Sequence, residues 1–274
     1  MESSFEAHRQ RRSLFTASAQ EYEDGRPGYP PELFELLRER CGLGPGCRVL
    51  EIGPGTGQAT GPLLDAGATV VAIELGSELA ELVASKYVDC DLEVVVSLFE
   101  DADLPAGEFD LVAAGTSFHW VPAERGLQRC GEALRPGGFL ALWWNYFGDP
   151  ARPDPFHEAL QPVLRQHAPQ LVDNTSAGSA GVGAHPFALD VETRVAEIDG
   201  TGLFGPVVHE AVSWTGEHTA RELRRMFASF SPWMALEPDV RAAVLDDLEQ
   251  LAIDQFGGVV QRPYLTPIYT AERV

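Results

Sequence analysis

A glycine-rich loop is the part of this sequence whose residue types and spacing could do chemistry. Gly53, Gly55 and Gly57 alternate with other residues in LEIGPGTGQATG, residues 50–61, directly after an apolar run. Glycine lets the backbone turn tightly and approach a ligand closely, and the amides at a helix N-terminus attract anionic groups. Such a loop between a strand and a helix is typical of nucleotide-like cofactor sites in open α/β sheets.

Glu74 supplies a carboxylate where such a site needs one. It ends TVVAIE, residues 69–74, and lies 21 residues beyond Gly53. A carboxylate at the end of the second strand accepts hydrogen bonds from both hydroxyls of an adenosine ribose, although a solvated carboxylate is the alternative interpretation. The spacing fits NAD and S-adenosylmethionine equally, because both carry that ribose. A dinucleotide fingerprint expects glycine where this chain has Gln58, which disfavours NAD.

Alternating strands and helices must position this loop. Apolar runs predict strands at residues 48–52, 69–74, 92–96, 109–114 and 139–144. Helical spacing predicts helices at residues 31–41, 58–65, 77–87 and 123–134, the last stopped by Pro136, Gly137 and Gly138. Buried strands that alternate with helices predict a mostly parallel sheet covered on both faces. Further helices are predicted at 156–167, 220–230 and 238–256, and a closing strand at 259–270.

The charge balance restricts the partners. The 274 residues include 20 Lys and Arg against 41 Asp and Glu, a formal charge of −21. This charge repels phosphate backbones and anionic lipid, so we expect neither nucleic acid nor a membrane as a partner. No apolar stretch resembles a signal peptide or reaches the ~20 residues of a membrane helix, which predicts a cytoplasmic protein. The four cysteines form no CxxC pair and no histidines are paired at helical spacing, so no metal site is expected.

Five segments in order resemble the successive motifs of class I S-adenosylmethionine-dependent methyltransferases. They are LEIGPGTGQAT from residue 50, Glu74, LFEDADLP from residue 98, FDLVAAGTSFHWV from residue 109 and LRPGGFLAL from residue 134. Upstream, YEDGRPGYP at residues 22–30 resembles the small-molecule branch, which includes methyltransferase type 11 and trans-aconitate methyltransferase-like proteins. The resemblance covers about residues 46–145.

The resemblance implies a fold and a division of the chain. The expected fold is a Rossmann-like α/β fold with a seven-stranded, mostly parallel sheet, helices on both faces and an inserted helical cap. The implied segments are an N-terminal arm or lid (1–30), a cofactor-binding core (31–145), a cap that forms the substrate site (146–235) and a helix and strand that complete the core (236–274).

The resemblance also implies which residues bind S-adenosylmethionine and its product S-adenosylhomocysteine. Glu51 and the glycine loop would hold the methionine part, Glu74 the ribose and Leu75 one face of the adenine. Glu100 would meet the adenine amino group, with Asp101 as the alternative. The other expected cofactor-binding residues are Tyr22 and Arg26 in the arm, Gln58, Phe99, Gly115 and Thr116. Core packing for Phe99, an ordinary turn for Thr116 and surface exposure for Arg26 are the alternatives.

His119 and Trp120 follow the fourth strand, where a methyl acceptor is expected. A histidine with an ordinary pKa near ~6.5 could remove a proton from an oxygen, nitrogen or acidic carbon acceptor. A pocket-wall or structural histidine is the alternative. Trp120 is expected either to line the substrate pocket or to fill a core, and Trp144 is expected to contact the substrate. Arg221, Arg224 and Arg225 form a basic cluster that could recognise an acidic substrate or be a solvated helical face.

The predicted function is therefore transfer of the methyl group of S-adenosylmethionine to a small molecule by in-line displacement. An NAD-dependent oxidoreductase is one alternative. The other is a non-catalytic protein that binds the cofactor on a methyltransferase fold.

Overall fold

Seven strands form one sheet in the part of the chain that the computed structural model describes, residues 27–172 and 187–274. The strands are β1 (Arg48–Ile52), β2 (Thr69–Glu74), β3 (Leu92–Val96), β4 (Phe109–Gly115), β5 (Leu134–Trp143), β6 (Val208–Thr219) and β7 (Val259–Glu272). Their order across the sheet is β3-β2-β1-β4-β5-β7-β6. Strands β1 to β5 pair in parallel, and β7 is antiparallel to both β5 and β6. The predicted Rossmann-like, mostly parallel sheet of seven strands is confirmed.

Helices cover both faces of this sheet. They are α1 (Pro31–Cys41), α2 (Thr60–Asp65), α3 (Ser77–Lys86), α4 (Ala123–Ala133), α5 (Pro155–His167), α6 (Val191–Asp199), α7 (Ala220–Ala228), α8 (Ser231–Met234) and α9 (Pro238–Phe256). Helix α1 ends at Gly42, whose φ of 70° is left-handed, as expected for a glycine that stops a helix. Helix α9 has the predicted bounds.

Side chains alternate between the two faces of the sheet. Val49 packs in a cluster with the apolar face of α1, whereas its neighbour Leu50 packs in a cluster with residues of α4. This alternation is the two-residue period of a strand, and it explains why the central strands are mostly apolar. The centre of the sheet is therefore buried on both faces, and its carboxyl edge is fixed by two layers of packing.

The predicted cap range, residues 146–235, contains helices and also an edge strand of the main sheet. Helices α5, α7 and α9 share a separate core. Several aromatic side chains of this range are buried in that core: Phe156, Phe227, Phe230 and Trp233. Strand β6 was not predicted; it pairs with β7 along its whole length. The described part of this range is therefore joined to the core through the sheet as well as through helices.

The proline and glycines that were predicted to end α4 belong to the following strand. The helix ends at Ala133, and Pro136, Gly137 and Gly138 lie inside β5. The pairing of β4 with β5 shifts register between Phe109 and Leu111, and Gly137 has a φ of 75°. The glycines therefore accommodate an irregularity in the strand pairing.

The cysteines of the described chain are free thiols. Cys41, Cys47 and Cys130 are buried, and burial raises the pKa of all three, that of Cys41 to about 12. Within residues 27–172 and 187–274, no group of three or more His, Cys, Asp or Glu side chains is arranged to hold a metal ion. None of the helices listed above combines the length and the apolar character needed to cross a bilayer.

Candidate active site

A cleft opens at the carboxyl edge of the sheet, where β1 and β4 lie side by side. The chain leaves β1 towards β2 on one side, whereas β4 and β5 lie on the other, so the cleft is at a topological switch point. Its volume is about 1190 Å³, including solvent at its mouth. Among the expected site residues, those that line it are Glu51, Gly53, Gly55, Gln58, Glu74, Leu75, Phe99, Glu100, Gly115, Thr116 and Trp120. Tyr22 and Arg26 lie outside the described residues.

The first glycine of the loop is required by a close contact. Gly53 has a φ of 65°, in the left-handed region, and its amide donates to the carbonyl of Ile73 (2.9 Å). A Cβ atom at this position would lie 2.8 Å from the Cβ of Ser117. The Ser117 hydroxyl in turn donates to the carbonyl of Ile52. Gly53 therefore lets the ends of β1 and β4 approach each other at the base of the cleft.

Gly57 has a different role from the one expected of it. It does not line the cleft, and with a φ of 90° a Cβ atom there would lie 2.8 Å from Cε2 of Tyr87. The Tyr87 hydroxyl donates to the Gly57 carbonyl (3.0 Å), and Lys86 Nζ donates to the Thr56 carbonyl (3.2 Å). We therefore reassign Gly57 from a cofactor contact to the place where Tyr87 supports the loop from behind.

The Glu74 carboxylate joins the loop after β1 to the turn after β2. Its two oxygens accept hydrogen bonds from the backbone amides of Gly55 (3.2 Å) and Gly76 (2.9 Å). The residue is only 7% exposed and lines the cleft. It is not a solvated surface carboxylate, because its side chain is buried and held on both oxygens.

Glu51 is a second buried carboxylate in the cleft. It is 2% exposed, and one of its oxygens accepts a hydrogen bond from the Thr60 hydroxyl (2.7 Å). Burial raises the pKa of Glu51 to about 7; nearby Glu74 also raises it, and the Thr60 hydrogen bond acts in the opposite direction. Ionisation of Glu51 is therefore costly, and a cation in the cleft would favour it.

The structure distinguishes between the two acidic residues considered for the adenine. Glu100 is buried and lines the cleft, whereas Asp101 lies outside it and pairs with Arg125 (2.9 Å). Phe99 lines the cleft and also belongs to the core cluster around Leu50. The two interpretations of Phe99 are therefore compatible.

His119 lies beside the cleft and is not among the residues that line it. Its Nδ1 atom accepts a hydrogen bond from Nε1 of Trp144 (3.2 Å), and its ring lies 6.0 Å from that of Phe187. Trp144 is buried and also does not line the cleft, so its predicted contact with the substrate stays a prediction without support from the cleft lining. Trp120, at 4.8 Å between ring centroids from His119, is the member of this aromatic group that reaches the cleft.

The basic cluster does not face the cleft. Arg224 pairs with Asp246 (2.6 Å) and Glu249 (3.4 Å) on α9, and none of Arg221, Arg224 and Arg225 lines the cleft. The helical-face interpretation of this cluster therefore agrees with the structure better than recognition of an acidic substrate.

Sequence reasoning missed several residues of the cleft wall: Tyr29, Ser117, Val121 and Asn145. Tyr29 lies within the motif YEDGRPGYP, of which only Tyr22 and Arg26 were predicted to contact the cofactor. Asn145 lies two residues beyond the end of β5, and nothing in its local sequence marks it. It reaches the site because β5 is next to β4 in the sheet.

Residues 50–142 match a family model described as a methyltransferase domain. This part of the chain, about a third of its length, is similar to a methyltransferase domain. Over 134 residues it is 34% identical to an uncharacterized methyltransferase of Mycobacterium tuberculosis, and over 135 residues it is 31% identical to one of Schizosaccharomyces pombe. These alignments cover 48% of this chain and 51% and 52% of the two relatives, so the similarity spans about half the length of each.

Solved structures share the fold of the methyltransferase domain at low identity. A proposed type II methyltransferase from Anaeromyxobacter dehalogenans has a TM-score of 0.61 at 20% identity, covering 90% of this chain and 97% of that one. Haemonchus contortus phosphoethanolamine N-methyltransferase 2, in complex with phosphomonomethylethanolamine and S-adenosylhomocysteine, has a TM-score of 0.54 at 16% identity, covering 93% and 56%. At these identities the similarity shows the fold alone.

Proposed function

We propose that this chain transfers the methyl group of S-adenosylmethionine to a small-molecule acceptor and releases S-adenosylhomocysteine. One observation carries the proposal: the buried carboxylate of Glu74 and the loop at Gly53 and Gly55 meet in one cleft at the switch point of the sheet. Both lie within residues 50–142, the part that matches the methyltransferase domain.

The residues of the cleft fit an adenosyl group. Glu74 offers a buried carboxylate that suits ribose hydroxyls. Leu75, Leu79 and Phe99 offer apolar walls suited to a flat base, with the carboxylate of Glu100 beside them. Gly53 and Gly55 bring backbone close to the cleft without side chains. These residues would hold the cofactor, and Glu51 would face its methionine part.

The charges of the cleft suit a cationic ligand. Glu51, Glu74 and Glu100 all line it, and no Lys or Arg is among the described residues that do. Bound there, S-adenosylmethionine supplies a methyl group on a positively charged sulfur, which is already a good leaving group. Buried carboxylates favour that cation, because opposite charges interact more strongly away from water.

The described residues contribute to the transfer mainly by positioning. Tyr29, Trp120, Val121 and Phe147 form an apolar and aromatic wall that would orient the acceptor and exclude water. Holding two reactants in line supplies much of the rate enhancement of a displacement. The described part of the wall offers no histidine to act as a base, since His119 lies beside the cleft.

A small-molecule acceptor is supported by the charge of the cleft and of the protein. Three carboxylates line the cleft, and the chain has a formal charge of −21, so the protein repels a phosphate backbone. The Haemonchus neighbour holds phosphomonomethylethanolamine, which is a small molecule. Oxygen, nitrogen and acidic carbon all remain candidates for the acceptor atom.

The test is release of S-adenosylhomocysteine from S-adenosylmethionine in the presence of pooled amines, phenols and carboxylic acids. We expect one pool to raise the release rate of the wild-type protein, and Glu74→Gln to reduce it at subsaturating cofactor. If S-adenosylmethionine bound tightly and no pool raised the rate, the non-catalytic alternative would replace this proposal.

A further inference from the structure

Thr116 has a backbone conformation that threonine seldom adopts. Its φ is 53°, and it is the one non-glycine residue with a positive φ among residues 27–172 and 187–274. In this region a β-branched side chain is strained, and such strain persists only where the surrounding contacts determine the conformation. Thr116 also lines the cleft, directly after β4.

The positive φ turns the chain out of the sheet. The Thr116 amide still donates to the carbonyl of Trp143 (2.7 Å), which continues the pairing of β4 with β5. Immediately afterwards the chain enters the short 3₁₀ turn Phe118–Trp120, which carries Trp120 to the cleft wall. Glycine would make the same turn without strain, so the turn alone does not account for threonine.

The side-chain hydroxyl is what distinguishes threonine from glycine at this position. Thr116 Oγ1 accepts hydrogen bonds from the Tyr29 hydroxyl (3.0 Å) and from the backbone amide of Asn145 (3.2 Å). A hydroxyl oxygen has two lone pairs, so these two bonds use its full accepting capacity. Thr116 thereby joins the end of β4, the chain shortly after β5 and the segment before α1.

Asn145 holds the same segment at a second point. Its Nδ2 atom donates to the Gly28 carbonyl (2.8 Å), and its Oδ1 atom accepts from the Thr266 hydroxyl (2.8 Å). The ring of Tyr29 also packs edge-on against Trp143, with centroids 5.8 Å apart. Residues 27–30, here called the entry segment, are thus fixed beside the cleft, and Pro27 and Tyr29 line it.

Gly115 leaves the space that this arrangement needs. A Cβ atom at Gly115 would lie 2.8 Å from the Tyr29 hydroxyl and 2.8 Å from Nε1 of Trp143. The residue before Thr116 must therefore be small for Tyr29 to reach the threonine hydroxyl. Gly115 and Thr116 act together in placing Tyr29.

We propose that Thr116 is a positioning residue, whose hydroxyl fixes Tyr29 and the entry segment against the cleft. The expected effect on ligand affinity rests on the proposed function. The positioning of Tyr29 does not, because it is argued from the strained turn and the two accepted hydrogen bonds alone.

Paired variants test the hydroxyl. Thr116→Val keeps the shape and removes the acceptor, Thr116→Ser keeps the acceptor, and Tyr29→Phe removes the donor. Tyr29→Phe removes one of the two bonds to the hydroxyl, and we expect it to weaken binding of S-adenosylhomocysteine about fivefold. Thr116→Val removes both bonds and should weaken binding at least as much. Because Thr116→Val already removes the partner of the Tyr29 hydroxyl, the double variant should bind much as Thr116→Val does. Thr116→Ser should bind like the wild type.

The second readout is hydrogen exchange in the peptide that spans residues 27–34. Thr116→Val and Tyr29→Phe should both exchange faster there, and Thr116→Ser should not. Matched controls lose similar hydrogen bonds outside the cleft: Thr69→Val loses a bond to Asp91, and Tyr269→Phe loses a bond to the Ala188 carbonyl. Both controls should leave exchange at 27–34 unchanged.

The outcomes separate the two proposals. If the wild type failed to bind S-adenosylhomocysteine, the proposed function would fail, and the exchange data would still decide whether Thr116 holds the entry segment. If the wild type bound it and both variants bound equally well, the positioning role would be overturned. Weaker binding without faster exchange would also overturn it, because the hydroxyl would then act on the ligand directly.

Discussion

The carboxylate of Glu74 accepts a hydrogen bond from the backbone amide of Gly55 at 3.2 Å, so the end of β2 holds the loop that follows β1. The same carboxylate accepts from the Gly76 amide on its other oxygen. One side chain thus shapes the glycine loop and presents negative charge to the cleft. The loop and its acidic partner are therefore one structural unit.

Replacing Glu74 should weaken cofactor binding strongly. Glu74→Gln removes the charge and directs an NH2 group at a backbone amide that now donates to the carboxylate. Hydrogen bonds to charged groups contribute about 1.5–3 kcal/mol each, so we expect affinity for S-adenosylmethionine to fall roughly 10- to 100-fold. Calorimetry measures this, with exposed Glu78→Gln on α3 as the control. Equal affinities for the two variants would remove Glu74 from the binding site.

Glu51 should make the unliganded protein less stable as pH rises. Burial raises the pKa of Glu51 from 4.5 to about 7, so the folded state binds more protons than the unfolded state between these values. Stability from this residue is therefore greatest at low pH and is lost as pH rises towards 7. Glu51→Gln should abolish a change of about 3 kcal/mol in the free energy of unfolding across that range.

Denaturant unfolding at pH 4.5, 6 and 8 checks the Glu51 prediction. The difference between the wild type and Glu51→Gln isolates this residue from other titrating groups. A difference that stays constant with pH would show that the pKa of Glu51 is not raised. A cationic ligand should reduce the loss at high pH, because it favours the ionised carboxylate.

Replacing Gly57 should destabilise the protein, because an added side chain would displace Tyr87 from the glycine loop. Gly57→Ala introduces a Cβ atom at a left-handed φ and 2.8 Å from Tyr87. Gly107→Ala is a matched control, since Gly107 has a φ of 69° with nothing within 4 Å of the added atom. We expect about 1 kcal/mol of destabilisation for the control, and clearly more for Gly57→Ala. Equal losses in thermal or denaturant unfolding would show that Tyr87 does not constrain the loop.

His119 should stabilise the fold through its hydrogen bond with Trp144. His119→Ala removes the acceptor for the buried Trp144 indole and should lower the free energy of unfolding by about 1–3 kcal/mol, with cofactor affinity unchanged. In a Trp144→Phe variant the hydrogen-bond donor is already absent, so His119→Ala should lower the free energy of unfolding by less than in the wild type. If His119→Ala instead abolished turnover while stability and affinity were kept, the base hypothesis from the sequence would be restored.

The parts of the site that are near one another in sequence were the parts that could be predicted. The glycine loop directly follows a strand, and Glu74 ends the next one, so strand order alone brings them together. The contacts around Thr116 arise differently. Tyr29 is 87 residues from Thr116, and Asn145 is 29 residues from it. No local pattern encodes such pairs, because they depend on which strands become neighbours in the folded sheet.

The fold shows the same division between local and long-range information. Helix α9 has a continuous apolar face and clear ends, and its bounds were predicted. Strand β6 carries mixed polar residues such as His209, Glu210 and Glu217 on a half-exposed edge, and its pattern is too weak to predict a strand. Its pairing with β7 supplies the regularity that its own sequence lacks.

A calorimetric titration of the wild-type protein with S-adenosylmethionine and S-adenosylhomocysteine, with NAD and NADP as controls, tests the proposed cofactor most directly. We expect both adenosyl ligands to bind and neither nicotinamide cofactor to bind. Binding of NAD or NADP without binding of the adenosyl pair, or binding of none of the four, would contradict the proposed cofactor.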